Sequence, residues 1–197
     1  MKKLRAAVLI SGRGSNMMAL VAAAQAADFP AEIVRVIANR ADSAGLAFAA
    51  GHGIATEVID HQSYSSRTAF DEALDHSLHA ARIDLVALAG FMRVLSPEFT
   101  AKWAGRLLNI HPSLLPLYKG LHTHERALAD AAAEHGCTVH FVNEELDGGH
   151  IIAQARVPVL PGDTPGSLAA RVLQEEHRIY PMALAQVARS LFAASSA

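Results

Sequence analysis

A single cysteine, Cys137, stands in 197 residues. That excludes an internal disulfide framework and leaves a cysteine-based zinc site without its ligands. The lone thiol reads as a small buried hydrophobe in a reducing compartment. Charge of one sign is missing too: 17 Lys and Arg stand against 19 Asp and Glu, for a net charge of -2. Without a basic excess or a long basic run there is no electrostatic footprint for nucleic acid, and small molecules are the expected partners. Long apolar runs are absent as well. Met1-Lys2-Lys3-Leu4-Arg5 looks like the charged start of a secretory signal, but the apolar run that follows, Ala6 to Ile10, is cut short by Ser11-Gly12-Arg13-Gly14. No window approaches the roughly 18 unbroken apolar residues of a membrane span. The expected location is the cytoplasm, with no membrane partner.

What is present is material for a core. Hydrophobic residues make up 51% of the chain and charged residues 18%, which suits one domain spanning residues 1–197. Short β-branched apolar runs alternate with longer Ala-rich amphipathic ones, the pattern of an α/β fold. Strands are expected at Leu4–Ile10, Ile33–Ala38, Thr56–Ile59, Leu85–Ala89, Leu107–Ile110 and Thr138–Val142, with Ile151–Val157 at an edge. Helices are expected at Ser15–Ala27, Ser43–His52 and Arg67–Ala81, and another from His124 to Ala133. The last, Ser167–Phe192, carries Pro181 and should break or kink near Tyr180, with the Ala-rich tail after it frayed. The architecture expected is a three-layer, Rossmann-like α/β domain around a mostly parallel central sheet.

Two stretches carry chemistry. Ser11-Gly12-Arg13-Gly14-Ser15-Asn16 lies between a strand and a helix, where glycines allow close approach and free helix amides favour a phosphate. It lacks the third glycine of a dinucleotide fingerprint and the Lys-Ser/Thr of a P-loop. A plain tight turn with Ser15 or Asn16 capping the helix stands beside the phosphate reading. The second stretch, Asn109-Ile110-His111-Pro112-Ser113-Leu114-Leu115-Pro116, ends a strand. Residues two apart on a strand point to one side, so a carboxamide donor sits beside an imidazole. Asp147, in Glu145-Leu146-Asp147-Gly148-Gly149, can reach them from a distant loop, although an Asp before Gly-Gly is more often a turn residue. Together the three read as an acyl-transfer site. His122-Thr123-His124, with His135, His140 and His150 downstream, invites a metal reading; no zinc-binding spacing accompanies it, so no metal is expected.

The order Leu9-Ile10-Ser11-Gly12-x-Gly14-Ser15-Asn16, Leu88-Ala89-Gly90-Phe91-Met92-Arg93-Val94-Leu95-Ser96, Leu108 to Pro116, Gly120-Leu121-His122-Thr123-His124, Val139-His140-Phe141-Val142, Glu145 to Gly149 and Glu176-His177-x-x-Tyr180-Pro181 resembles the phosphoribosylglycinamide formyltransferase family over nearly the whole chain. The resemblance implies the formyltransferase fold. It also implies transfer of a formyl group from 10-formyltetrahydrofolate, as co-substrate and without metal, to the amine of glycinamide ribonucleotide in purine synthesis. Asn109, His111 and Asp147 match the family's catalytic set. Gly14, Ser15 and Asn16 match its phosphate site and Glu176 its ribose contact, while Arg67, Met92, Arg93, Val94, Leu95 and Asn109 match folate-contacting positions. Arg13 stands where a small polar residue is common, and His150 where proline is expected. The resemblance leaves open a cis Leu115–Pro116 bond and a homodimer. A methionyl-tRNA formyltransferase and a formyltetrahydrofolate hydrolase share these residues but carry extra domains, which this chain is expected to lack. A nucleotide-binding module of Rossmann type would rest on the first glycine loop alone, since the second strand ends at Ala38-Asn39-Arg40 without the expected acid.

Overall fold

The computed structural model describes residues 3–195; Met1, Lys2, Ser196 and Ala197, the last two being the end of the tail expected to fray, lie outside them. Seven strands form one sheet in the order β3-β2-β1-β4-β5-β6-β7. They are β1 (Leu4–Ile10), β2 (Ala31–Ala38), β3 (Ala55–Val58), β4 (Leu85–Leu88), β5 (Leu107–His111), β6 (Glu134–Phe141) and β7 (Ile151–Pro158). The first five pair in parallel, whereas β6 runs antiparallel to both β5 and β7.

Alternation along β1 explains the layers. Ala6, Val8 and Ile10 point into a core shared with helices α1 (Ser15–Ala24), α2 (Gly45–Gly51) and α6 (Pro165–Ser195). Ala7 and Leu9 point into a second core, built with α3 (Arg67–Ala80) and α4 (Pro97–Lys102) around Phe70, Leu74 and the fully buried Trp103. A central parallel strand buried on both faces must be apolar where it is buried, and β1 is from Ala6 to Ile10. Helix α5 (Thr123–Ala129) packs beside α6.

Several element ends shift by a few residues from the sequence expectation, and three larger differences have identifiable reasons. Helix α4 is additional to the expected elements although Ser96-Pro97-Glu98 is a helix-start signature: the Ser96 hydroxyl accepts from Phe99 N–H at 3.3 Å and Pro97 fills the first turn. Strand β6 begins at Glu134 rather than Thr138 because Gly136 is a strand residue whose missing Cβ leaves room for the Ala155 carbonyl on β7. Helix α6 does not break at Pro181. It runs unbroken from Pro165 to Ser195, leaving the His177 carbonyl without its usual helical donor. Burial on both sides of the proline offsets a penalty of roughly 3 kcal/mol. Pro181 is itself buried, as are Ile179, Tyr180, Ala183 and Leu184, and the Tyr180 hydroxyl donates to the Leu88 carbonyl at 2.8 Å. Tyr180→Phe, which removes that anchor from the strand ends, is expected to destabilise the fold by about 1 kcal/mol, measured as a lower urea midpoint with an unchanged slope.

Candidate active site

The turn after β1 comes first because its conformation is dictated by one residue. Gly14 sits at φ +71°, a left-handed conformation that suits glycine, and it caps α1 without any side-chain hydrogen bond. The capping reading of Ser15 and Asn16 is therefore overturned: both lie inside the helix, and its first-turn amides are left for a ligand. No acidic residue occupies that turn itself. Asn16 Nδ2 donates to Glu176 Oε2 at 2.6 Å, tying the loop to α6, while Asn16 Oδ1 is buried without a partner. Burial pushes the Glu176 carboxyl above its usual range, against that hydrogen bond. A cavity of about 430 Å³ opens over the loop, walled on its far side by Asn39, Arg40 and His61 beyond the end of β2.

Next to it, β5 delivers Asn109 and His111 to one side of the sheet, as their spacing requires. His111 Nε2–H donates to the Tyr118 carbonyl at 2.9 Å, which leaves Nδ1 facing Asp147 Oδ2 at 3.4 Å. Asp147 arrives on the loop between β6 and β7 at φ +50° and is held there by Gly120 N–H at 2.9 Å from Oδ2. The side chains of His111 and Asp147 are 8% and 7% exposed, so their interaction is little screened by solvent.

A fourth residue completes the cluster, and sequence reasoning did not single it out as functional. His140 on β6 lies directly across from Asn109 in the antiparallel ladder. Its Nδ1–H donates to the Phe141 carbonyl at 2.8 Å, so Nε2 can accept from Asn109 Nδ2–H at 3.3 Å. Burial holds the His140 ring below the ordinary histidine range and keeps that acceptor unprotonated. The carboxamide is thereby oriented, and its second amide hydrogen remains for the cavity.

A larger cavity, about 790 Å³, runs from this cluster past Met92, Val94 and Leu95 to the Asn143–Asp147 loop. Met92 and Val94 are 66% and 56% exposed, apolar surface at the cavity wall, whereas Leu95 is buried beneath them. The two cavities share Asn16, Gly90, Met92 and Arg93. Ser11 joins them from below, its hydroxyl accepting from Met92 N–H at 2.8 Å. Glu176 lies on the wall of the larger cavity. Arg67 does not line either one; it opens α3 and acts on the buried Asp71, whose carboxyl is raised by burial and whose Oδ2 holds Ser96 N–H at 2.6 Å. The His122 and His124 pair is split. His122 is exposed beside Glu125, while the half-buried His124 turns its ring edge-on to His135 at 5.1 Å. Among the described residues no group of His, Cys, Asp or Glu side chains is arranged to hold a metal ion. The Leu115–Pro116 bond is cis.

Residues 4–184 match the formyl transferase family. The chain belongs to it. This formyl transferase is 50% identical over 177 residues to the phosphoribosylglycinamide formyltransferase of Escherichia coli (strain K12), covering 90% of this chain and 84% of that protein. It is 52% identical over 187 residues to the human trifunctional purine biosynthetic protein adenosine-3, of which it spans only 18%. Among solved structures it superposes on a phosphoribosylglycinamide formyltransferase from Brucella melitensis with a TM-score of 0.91 and 53% identity, covering 95% of this chain and 96% of that one. The fold of this formyl transferase is thus the family's three-layer α/β architecture, and no helix among its described residues is long and apolar enough to cross a membrane.

Proposed function

We propose that this formyl transferase, acting as one domain in the cytoplasm, moves the formyl group of 10-formyltetrahydrofolate to the amine of N1-(5-phospho-D-ribosyl)glycinamide in de novo purine synthesis. The observation that carries the reading is the meeting of Asn109, His111 and Asp147 where two cavities of different character adjoin. The smaller, over free helix amides at Gly14 to Asn16, suits a phosphate, with Glu176 placed for the ribose. The larger, with apolar Met92, Val94 and Leu95 on its wall and Arg93 at the shared boundary, suits a flat heterocycle with an acidic tail, and Arg67, outside its lining, is carried as a folate contact by the resemblance alone.

The amine attacks the formyl carbon, and negative charge gathers on the formyl oxygen as the carbon becomes tetrahedral. Asn109 Nδ2–H, aimed by His140, stabilises that charge, a contribution of about 3 kcal/mol for one donor. The proton released by the amine passes to the His111–Asp147 pair and is returned to the folate nitrogen as its bond to carbon breaks, so no net proton is gained or lost. Direct transfer needs both substrates held together, which accounts for cavities that share a wall.

Purified protein mixed with 10-formyltetrahydrofolate is expected to release tetrahydrofolate only when glycinamide ribonucleotide is present, followed by absorbance. Equal release without the ribonucleotide would replace this reading with a hydrolase.

A further inference from the structure

The smaller cavity carries more positive charge than first-turn amides require. Arg13, Arg40 and Arg93 all stand on its wall, and no carboxylate does. One of these cations is committed: Arg40 forks onto Asp42 at 3.0 and 2.7 Å. Arg93 is half-buried at the boundary with the larger cavity, its Nε without a hydrogen-bond partner. Arg13 is exposed, directly precedes Gly14, and its side chain makes no hydrogen bond or ion pair among the described residues. The pocket beside it is prepared for a ligand in a second respect. Asn16 and Asn39 line it, are 8% and 2% exposed, and each has a side-chain oxygen without a partner.

We propose that Arg13 is a specificity-determining residue, closing its guanidinium on the terminal phosphate oxygens of the substrate while the α1 amides hold the other side. This rests on the ribonucleotide reading above and adds a discrimination that amides alone provide weakly. A planar fork of donors meets two oxygens of a phosphomonoester dianion at once, and an unphosphorylated riboside offers it nothing. Arg13 touches neither the formyl group nor the His111 side of the site, so its effect belongs in ribonucleotide binding.

The test compares wild type with Arg13→Ala and Arg13→Lys. In Arg13→Ala the KM for the ribonucleotide is expected to rise about tenfold, with kcat and the KM for the formyl folate held, and Arg13→Lys to recover part of the loss. Preference for the phosphorylated over the dephosphorylated substrate should fall by the same factor. The KM should also depend less on added salt than in wild type. Calorimetry with inorganic phosphate reads the contact without any turnover and should show a matching loss of affinity. If KM and phosphate affinity are unchanged in Arg13→Ala, or if both substrates weaken equally, the proposal is wrong. Phosphate affinity lost in Arg13→Ala, in a protein that never formylates the ribonucleotide, would support the Arg13 contact and sink the substrate reading instead.

Discussion

His111→Ala is expected to lower kcat by about a thousandfold while both substrates still bind, because a general acid–base group contributes on the order of 100- to 10,000-fold. The geometry says why the loss falls on kcat. Nε2 of His111 is spent on the Tyr118 carbonyl, so the imidazole has one working nitrogen, and that nitrogen faces Asp147. Alanine removes the proton carrier and leaves the Asp147 carboxylate hydrogen-bonded to Gly120 N–H, so the loop that closes the larger cavity keeps its anchor. The measurement is steady-state kinetics with each substrate varied, beside calorimetry of ribonucleotide binding. A variant within tenfold of wild-type kcat would remove His111 from the mechanism. Asp147→Asn serves as the control, since an amide can still accept from Gly120 N–H but cannot share a proton with Nδ1. It should lower kcat without releasing the loop.

How far such a site can be read without coordinates depends on how local its geometry is. Asn109 and His111 could be paired because strand periodicity alone puts them on one side. Gly14 could be read as a turn at a helix start, although not that Ser15 and Asn16 would lie past the cap. His140 was a different matter. It stands in a visible strand, but its role follows from facing Asn109 across the β5–β6 ladder, and register between distant segments is not a local property. The same holds for Gly136, whose meaning is set by a carbonyl on β7, and for Pro181, where local propensity loses to core packing. Asp147 before two glycines carried only the signal of a turn. It is indeed in the left-handed conformation common to turns, and that conformation is what turns its carboxylate back toward His111. Arg67, matched by resemblance, lies at a helix start outside the lining of either cavity, a placement no local pattern announces.

Acid is expected to destabilise this fold through His135 in particular, by about 2 kcal/mol between pH 7.5 and pH 5. His135 is fully buried at the start of β6, and neither ring nitrogen has a hydrogen-bond partner. Burial, reinforced by the neighbouring His124 and opposed by the Pro112 carbonyl, pushes its pKa down to about 4. In the unfolded chain the same group titrates near the model-peptide value of about 6.5. Between those two values the unfolded state binds the proton and the folded state does not, so stability falls as pH drops through the interval, and is level above and below it. His124 and His140, both shifted down by burial, act in the same direction. The consequence for the site is close at hand, because His135 packs edge-on against Tyr118, whose carbonyl holds His111. His135→Leu removes the titrating ring and cannot charge. Urea midpoints for the two proteins at pH 7.5 and pH 5 should therefore shift relative to each other in the variant's favour as the pH falls, the variant losing about 2 kcal/mol less than wild type. Parallel losses in both would show that burial of His135 carries no proton-linked cost.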